Sequence, residues 1–237
     1  MFLSCVCPTY KRPDLLSNSL ACFLAQDFPK ELCELVIYDD AGQFTSCKNG
    51  NVEIISVNKR HSSLYDKYNF LIEQIKGDVV VIWEDDDVYL PWHLKNIASG
   101  IVGYDAIFYR TVYRTCTCPW GQCKLVNTEG RYHASWAYTK KLFELCGGYT
   151  KEHNVFGDLQ LGQRLRSLGK VTCHSVTNLP SFIMRWNDLY YHASKPKPCD
   201  FEKAWFEREE LPVPWVGELK AAFDEEALLL FDFLGVK

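Results

Sequence analysis

Long apolar runs are missing from this sequence. No stretch approaches the roughly 18 consecutive apolar residues that cross a bilayer, so no transmembrane segment is expected. The opening Met1-Phe2-Leu3-Ser4-Cys5-Val6-Cys7-Pro8 has no basic flank and too short an apolar run for a secretory signal. It predicts a first strand instead. Long basic blocks are missing too. With a net charge of −4, the chain lacks the phosphate-binding surface of a general nucleic-acid binder. Single Lys and Arg residues can still hold one nucleotide. Cys116, Cys118 and Cys123 have no second well-spaced pair beside them, which argues against zinc. The total of 11 cysteines is odd, and Cys5, Cys22, Cys33, Cys146 and Cys173 sit in apolar patterns. They predict reduced core thiols and a cytoplasmic protein. Repeats and low-complexity segments are absent as well. Peripheral contact with a membrane surface is left open.

What is present is an ordinary globular composition, 47% hydrophobic and 24% charged, enough for one large domain. Strand patterns fall at Phe2 to Cys7, Glu34 to Tyr38, Val52 to Val57 and Val79 to Trp83. Helical spacing marks Asp14 to Ala25, Ser63 to Ile75 and Pro91 to Ile101. This alternation predicts an α/β fold with a mainly parallel sheet flanked by helices. Further strands are expected at Ala106 to Arg114, Gly130 to Tyr138 and Val171 to Val176, with helices at Thr139 to Cys146 and Asp158 to Leu168. Lys195-Pro196-Lys197-Pro198 reads as a linker, and Gly217 to Leu234 as an amphipathic helix. The expected organisation is a domain over residues 1–194 with a helical extension over 195–237 packing on it.

The most informative stretch is Val79-Val80-Val81-Ile82-Trp83-Glu84-Asp85-Asp86-Asp87. A buried strand cannot hold four unpaired carboxylates, so they must lie where the strand ends. A divalent cation relieves their mutual repulsion, and hard oxygen donors suit Mg2+ or Mn2+. Parallel strands would bring two other polar clusters, Pro8-Thr9-Tyr10-Lys11-Arg12 and Asp39-Asp40, to the same edge. In an extended segment, alternation would set Asp85 and Asp87 opposite Glu84 and Asp86.

Four motifs, in order, resemble the family 2 glycosyltransferases of the GT-A (Rossmann-like) fold. They are Cys7-Pro8-Thr9-Tyr10-Lys11-Arg12, then Glu34 to Gly42 with its Asp39-Asp40 turn, then Lys76-Gly77-Asp78 through Glu84-Asp85-Asp86-Asp87 to Leu90-Pro91. The fourth is Gly147-Gly148-Tyr149 with Phe156-Gly157-Asp158 and Arg164-Leu165. The resemblance implies a metal-dependent transferase that moves a sugar from a UDP-sugar donor to a glycan or other hydroxyl acceptor, with inversion. It implies Mn2+ or Mg2+ on Asp86 and Asp87, with Asp85 toward the ribose. Nucleotide contacts would come from Pro8, Thr9, Tyr10, Arg12, Asp39 and Lys67, with Lys59 and Arg60 as further cations. Asp158 would be the general base, although an Asp at a helix start is often just a cap. The family's usual Glu before that Asp is Gly157 here. His174 and His192 are candidate extra metal ligands, and His133 with Trp136 would line the sugar pocket or belong to the core. A nucleotidyltransferase of similar fold and a non-catalytic nucleotide-sugar-binding domain are the rival readings.

Overall fold

The computed structural model describes residues 1–115, 123–150, 157–174 and 180–185. The chain runs β1 (Leu3–Thr9), α1 (Pro13–Leu24), β2 (Cys33–Asp39), β3 (Cys47–Asn49), β4 (Val52–Ser56), α2 (Leu64–Gln74), β5 (Val79–Ile82), β6 (Val88–Tyr89) and α3 (His93–Gly100). It continues through β7 (Ala106–Tyr109), β8 (Thr111–Thr115), β9 (Cys123–Asn127), β10 (Trp136–Thr139), α4 (Lys140–Leu145), α5 (Gly157–Leu168), β11 (Val171–His174) and β12 (Phe182–Arg185).

An eight-stranded sheet has the order β11-β7-β10-β5-β1-β2-β4-β3. β1 lies between β2 and β5 and is parallel to both, and β4 continues the parallel run from β2. β10 is antiparallel to β5 and β7, and β3 is antiparallel to β4. This is the mixed sheet that the sequence predicts. A smaller sheet, β6-β12-β8-β9, is set beside it.

Successive residues of β1 face opposite layers, as a pleated strand requires. Leu3, Cys5 and Cys7 join Leu16, Leu20, Leu94 and Ile97, so α1 and α3 cover one face. Val6, Val36, Val80 and Ile82 join Leu71, Leu142 and Leu161, so α2, α4 and α5 cover the other. Each such side chain contributes about 1.5–3 kcal/mol by leaving water. An unpaired charge inside these strands would forfeit that gain, so the polar residues collect at the strand ends. Pro13 opens α1 where a missing N–H costs nothing, and Ser63 caps α2 by accepting from the Asp66 amide. Among the described residues no helix is long and apolar enough to cross a membrane.

The structure corrects two expectations and adds two short strands. Ala106 to Arg114 is two strands, because the chain leaves the large sheet at Arg110, whose carbonyl accepts from the Thr128 amide, and β8 then pairs with β9. Gly130 to Tyr138 is not one strand. Glu129 and Gly130 both adopt positive φ (54° and 71°), a 3-10 turn follows at His133–Ser135, and only Trp136–Thr139 is extended. β3 and β6 are too short for their periodicity to announce them. The linker, the C-terminal helix, His192, Cys116 and Cys118 lie outside the described residues. Cys5, Cys7, Cys22, Cys33 and Cys146 are free and buried, and Cys47 and Cys173 are free and half-buried.

Candidate active site

The acidic segment follows β5 directly, and its backbone is pinned from both sides. The Trp83 ring stacks on Tyr89 at 3.9 Å, and its indole N–H donates to the Ser19 carbonyl. The Glu84 amide donates to the Tyr89 hydroxyl at 2.7 Å, and the Ser19 hydroxyl donates to the Glu84 carbonyl at 3.0 Å. Between these anchors Asp85 and Asp86 form a turn. Strict alternation therefore fails, which corrects the expected pairing of faces. Glu84, Asp86 and Asp87 each offer an oxygen, and these atoms lie within 4.8 Å of one another. Asp85 turns away. Three hard anionic oxygens at that spacing fit a divalent cation such as Mn2+ or Mg2+.

Arg12, just after β1, reaches across to this turn. One guanidinium nitrogen meets Asp85 Oδ1 at 2.7 Å, and another donates to Asp86 Oδ2 at 2.8 Å. Asp85 is buried, and burial pushes its carboxyl up to about 7 although Arg12 pulls the other way. Burial would lower the Arg12 guanidinium, but the carboxylates of Asp85, Asp86 and Glu84 raise it overall. Arg12 thus acts first on protein carboxylates, holding apart like charges that would otherwise repel. Lys11 takes positive φ (53°) where the chain turns from β1 toward α1. Pro8 and Thr9 are buried at the end of β1, and the Thr9 hydroxyl lies beside Asp85.

The neighbouring strand end is arranged differently. Asp39 is fully buried. Its Oδ1 accepts from the Ala41 amide at 2.9 Å, while Oδ2 accepts from the Gln43 amide at 2.6 Å and the Ser56 hydroxyl at 2.9 Å. Asp40 accepts from the His61 amide at 3.0 Å and pairs with Lys67. Lys67 is buried too, donating to the Thr9 carbonyl at 2.8 Å, and burial lowers its ammonium despite Asp40. It is a strut between the ends of β1 and β2. Tyr10 is half-exposed, with the Arg60 guanidinium stacked 3.3 Å from its ring centre. Lys59 is exposed.

Asp158 lies in the first turn of α5, one residue past the helix start, where a negative charge suits the helix dipole. The Tyr65 hydroxyl donates to its Oδ1 at 3.3 Å. A second chain of contacts ends on the acidic turn. His133 Nδ1 meets Glu84 Oε1 at 3.2 Å, and its Nε2 meets the Tyr149 hydroxyl at 2.5 Å. Tyr68 also donates to Glu84, at 3.3 Å. Trp136, by contrast, is a core residue. It is 2% exposed, and its indole donates to the Gly130 carbonyl.

Sequence reasoning underrated Glu84 and assigned no role to Tyr65. Glu84 was visible in the acidic run and set on the face of Asp86, but it was not counted among the metal ligands, while alternation set Asp87 on the opposite face. Tyr65 carried no signal beyond the glycine at position 157.

The profile of glycosyl transferase family 2 matches residues 4–161 of this chain of 237. No curated protein matches it significantly. A solved structure of S. aureus TarS 1-349 is similar, with 18% identity and a TM-score of 0.60 over 78% of this chain and 60% of that one. The chain spans 37% of a longer TarS chain. TarS 1-349 in complex with UDP-GlcNAc aligns over 98% of this chain and 73% of its own, with 16% identity and a TM-score of 0.60. The mannosyltransferase PcManGT from Pyrobaculum calidifontis, in complex with GDP-Man and Mn2+, aligns over 97% and 74%, with 16% identity and a TM-score of 0.56. At such identities the likeness is one of fold, the GT-A fold. With the family profile covering more than half its length on that fold, the chain belongs to glycosyl transferase family 2.

Proposed function

We propose that the protein transfers a sugar from a UDP-linked donor to a glycan or other hydroxyl acceptor, with inversion, and that it requires Mn2+ or Mg2+. The observation that carries this reading is the convergence of Glu84, Asp86 and Asp87 within 4.8 Å, at the carboxyl end of a strand parallel to and beside β1. Ligands of open α/β sheets bind at that edge. A divalent ion held by Asp86, Asp87 and Glu84 would supply Lewis-acid stabilisation of the departing diphosphate. Arg12 pairs with Asp85 and Asp86 and orients the turn that carries the cluster.

Asp158 takes the proton of the acceptor hydroxyl as its oxygen bonds to the anomeric carbon, and the bond to the diphosphate breaks with its electron pair leaving on UDP. One displacement inverts the centre, so an α-linked donor gives a β-linked product. Asp39 already accepts three internal hydrogen bonds. A carboxylate offers about four lone-pair sites, which leaves one for a uracil N–H. Tyr10, with Arg60 behind it, offers a face beside the buried Pro8 and Thr9. The UDP and UDP-GlcNAc complexes of TarS and the Mn2+ complex of PcManGT support a nucleotide-sugar and a metal.

The test is UDP release from a panel of UDP-sugars with Mn2+, followed by chelation. At least one donor should be turned over, and chelator should stop it. Turnover that survives complete chelation rejects the metal. No release from any donor, together with no donor-induced rise in melting temperature, rejects the reading as a whole.

A further inference from the structure

We infer that Tyr65 is a positioning residue for Asp158, and that Gly157 is the residue that admits it. The inference rests on the proposed role of Asp158 as base. Tyr65 comes from α2, far from Asp158 in sequence, and its hydroxyl donates to Asp158 Oδ1 at 3.3 Å. The phenol directs its single proton to Oδ1. Burial first, and the charge of Asp158 next, push the phenol up to about 12, so it remains a donor at any working pH.

The ring cannot swing away easily. It is 9% exposed and stacks on Tyr149, with centroids 5.4 Å apart and planes at 20°. Tyr149 is fixed in turn by His133 at 2.5 Å and by Tyr138 at 3.2 Å. His133 then meets Glu84 of the acidic turn. One aromatic block therefore sets the distance between the proton acceptor and the proposed metal ligands.

Position 157 is what leaves room. A Cβ on Gly157 would lie 2.6 Å from Tyr65 Cε2 and 2.7 Å from Cδ2, closer than carbon atoms pack. The family's usual Glu at this place would expel the ring. Here the carboxylate that is missing at 157 is replaced by a phenol packed against the same backbone. Tying Oδ1 to Tyr65 fixes the plane of the carboxylate and leaves Oδ2 to accept the acceptor's proton. Among the described residues, Tyr65 and, behind it, Tyr149 face Asp158.

The bland alternative is that Tyr65 merely fills the core, and Tyr65→Phe separates the two because it keeps the ring. The experiment measures UDP release from the best UDP-sugar of the panel for wild type, Y65F, G157A and D158N. If Tyr65 positions the base, Y65F lowers kcat about ten-fold with the donor KM unchanged, the size of one hydrogen bond to a charged group. G157A displaces the ring and lowers kcat at least as far. If D158N is inactive while Y65F keeps wild-type kcat, the positioning role is overturned and the base assignment stands. If G157A keeps wild-type kcat, the claim for Gly157 is overturned. If D158N remains active, the base assignment fails and this inference with it.

Discussion

Two acidic turns lie at the ends of β2 and β5, the parallel strands on either side of β1, and are built differently. After β2, the Asp39 carboxylate accepts two amides of its own loop and the Ser56 hydroxyl of β4, and Asp40 pairs with a buried Lys67. After β5, oxygens of Glu84, Asp86 and Asp87 lie within 4.8 Å of one another, and Arg12 pairs with Asp85 and Asp86. The first turn is electrostatically complete. The second gathers anionic oxygens in a cluster whose mutual repulsion a cation would relieve. The lesson is that residue type does not separate a structural carboxylate from a chemical one. The arrangement of their oxygens does.

The comparison can be broken most sharply at Asp86. Asp86→Ala should reduce Mn2+-dependent UDP release by about 1,000-fold, since Lewis-acid stabilisation is worth several kcal/mol. Isothermal titration should show weakened Mn2+ binding at the same time. Wild-type Mn2+ affinity in that variant would move the metal elsewhere. Next in size is Arg12→Met, which strands the buried Asp85 beside its neighbours. Urea denaturation should show a loss of about 3 kcal/mol, the usual cost of breaking a buried ion pair. A loss below about 0.5 kcal/mol would mean that Asp85 does not depend on Arg12.

Asp39→Ala tests the complete turn. Removing three hydrogen bonds from a loop should cost about 2 kcal/mol of stability. Turnover at saturating donor should fall much less than in Asp86→Ala. If it falls equally, Asp39 is chemical after all and the contrast collapses. The smallest effect sets the baseline for pH scans of either turn. His93 is fully buried, donating or accepting at Ser181 through Nδ1, and burial lowers its imidazole to about 3. The unfolded chain takes up a proton near pH 6.5 that the folded one refuses, so stability is full above that pH and falls below it. The slope should be about 1.4 kcal/mol per pH unit down toward pH 3. Denaturation midpoints measured between pH 7 and 5 will show it, and His93→Asn should flatten that slope if His93 is its source.

Much of the first half was legible because strands that are buried on both faces must be apolar and must shed polar groups at their ends. That rule alone located β1, β2, β4 and β5 and predicted that Thr9, Asp39 and the acidic run share an edge, as the parallel pairings show. The second half was read less well. At Arg110 the local pattern is still that of a strand, and only competition from β9 decides that the chain changes sheets. At Glu129 and Gly130 a pair of positive-φ residues interrupts a segment whose composition suits a strand. Likewise, alternation misassigned Asp87 because a turn, not a strand, runs through Asp85 and Asp86.

The sequence by itself determined that four carboxylates must lie at a strand end and that the chain has the ordered motifs of its family, because burial energy and motif order are local and linear. Only the tertiary structure decided which carboxylates meet. It turned Asp85 to Arg12, closed Glu84 onto Asp86 and Asp87, and set Tyr65 against Gly157 beside Asp158. Those partners come from different elements, and their distances depend on how helices and strands pack, which no periodicity along the chain encodes.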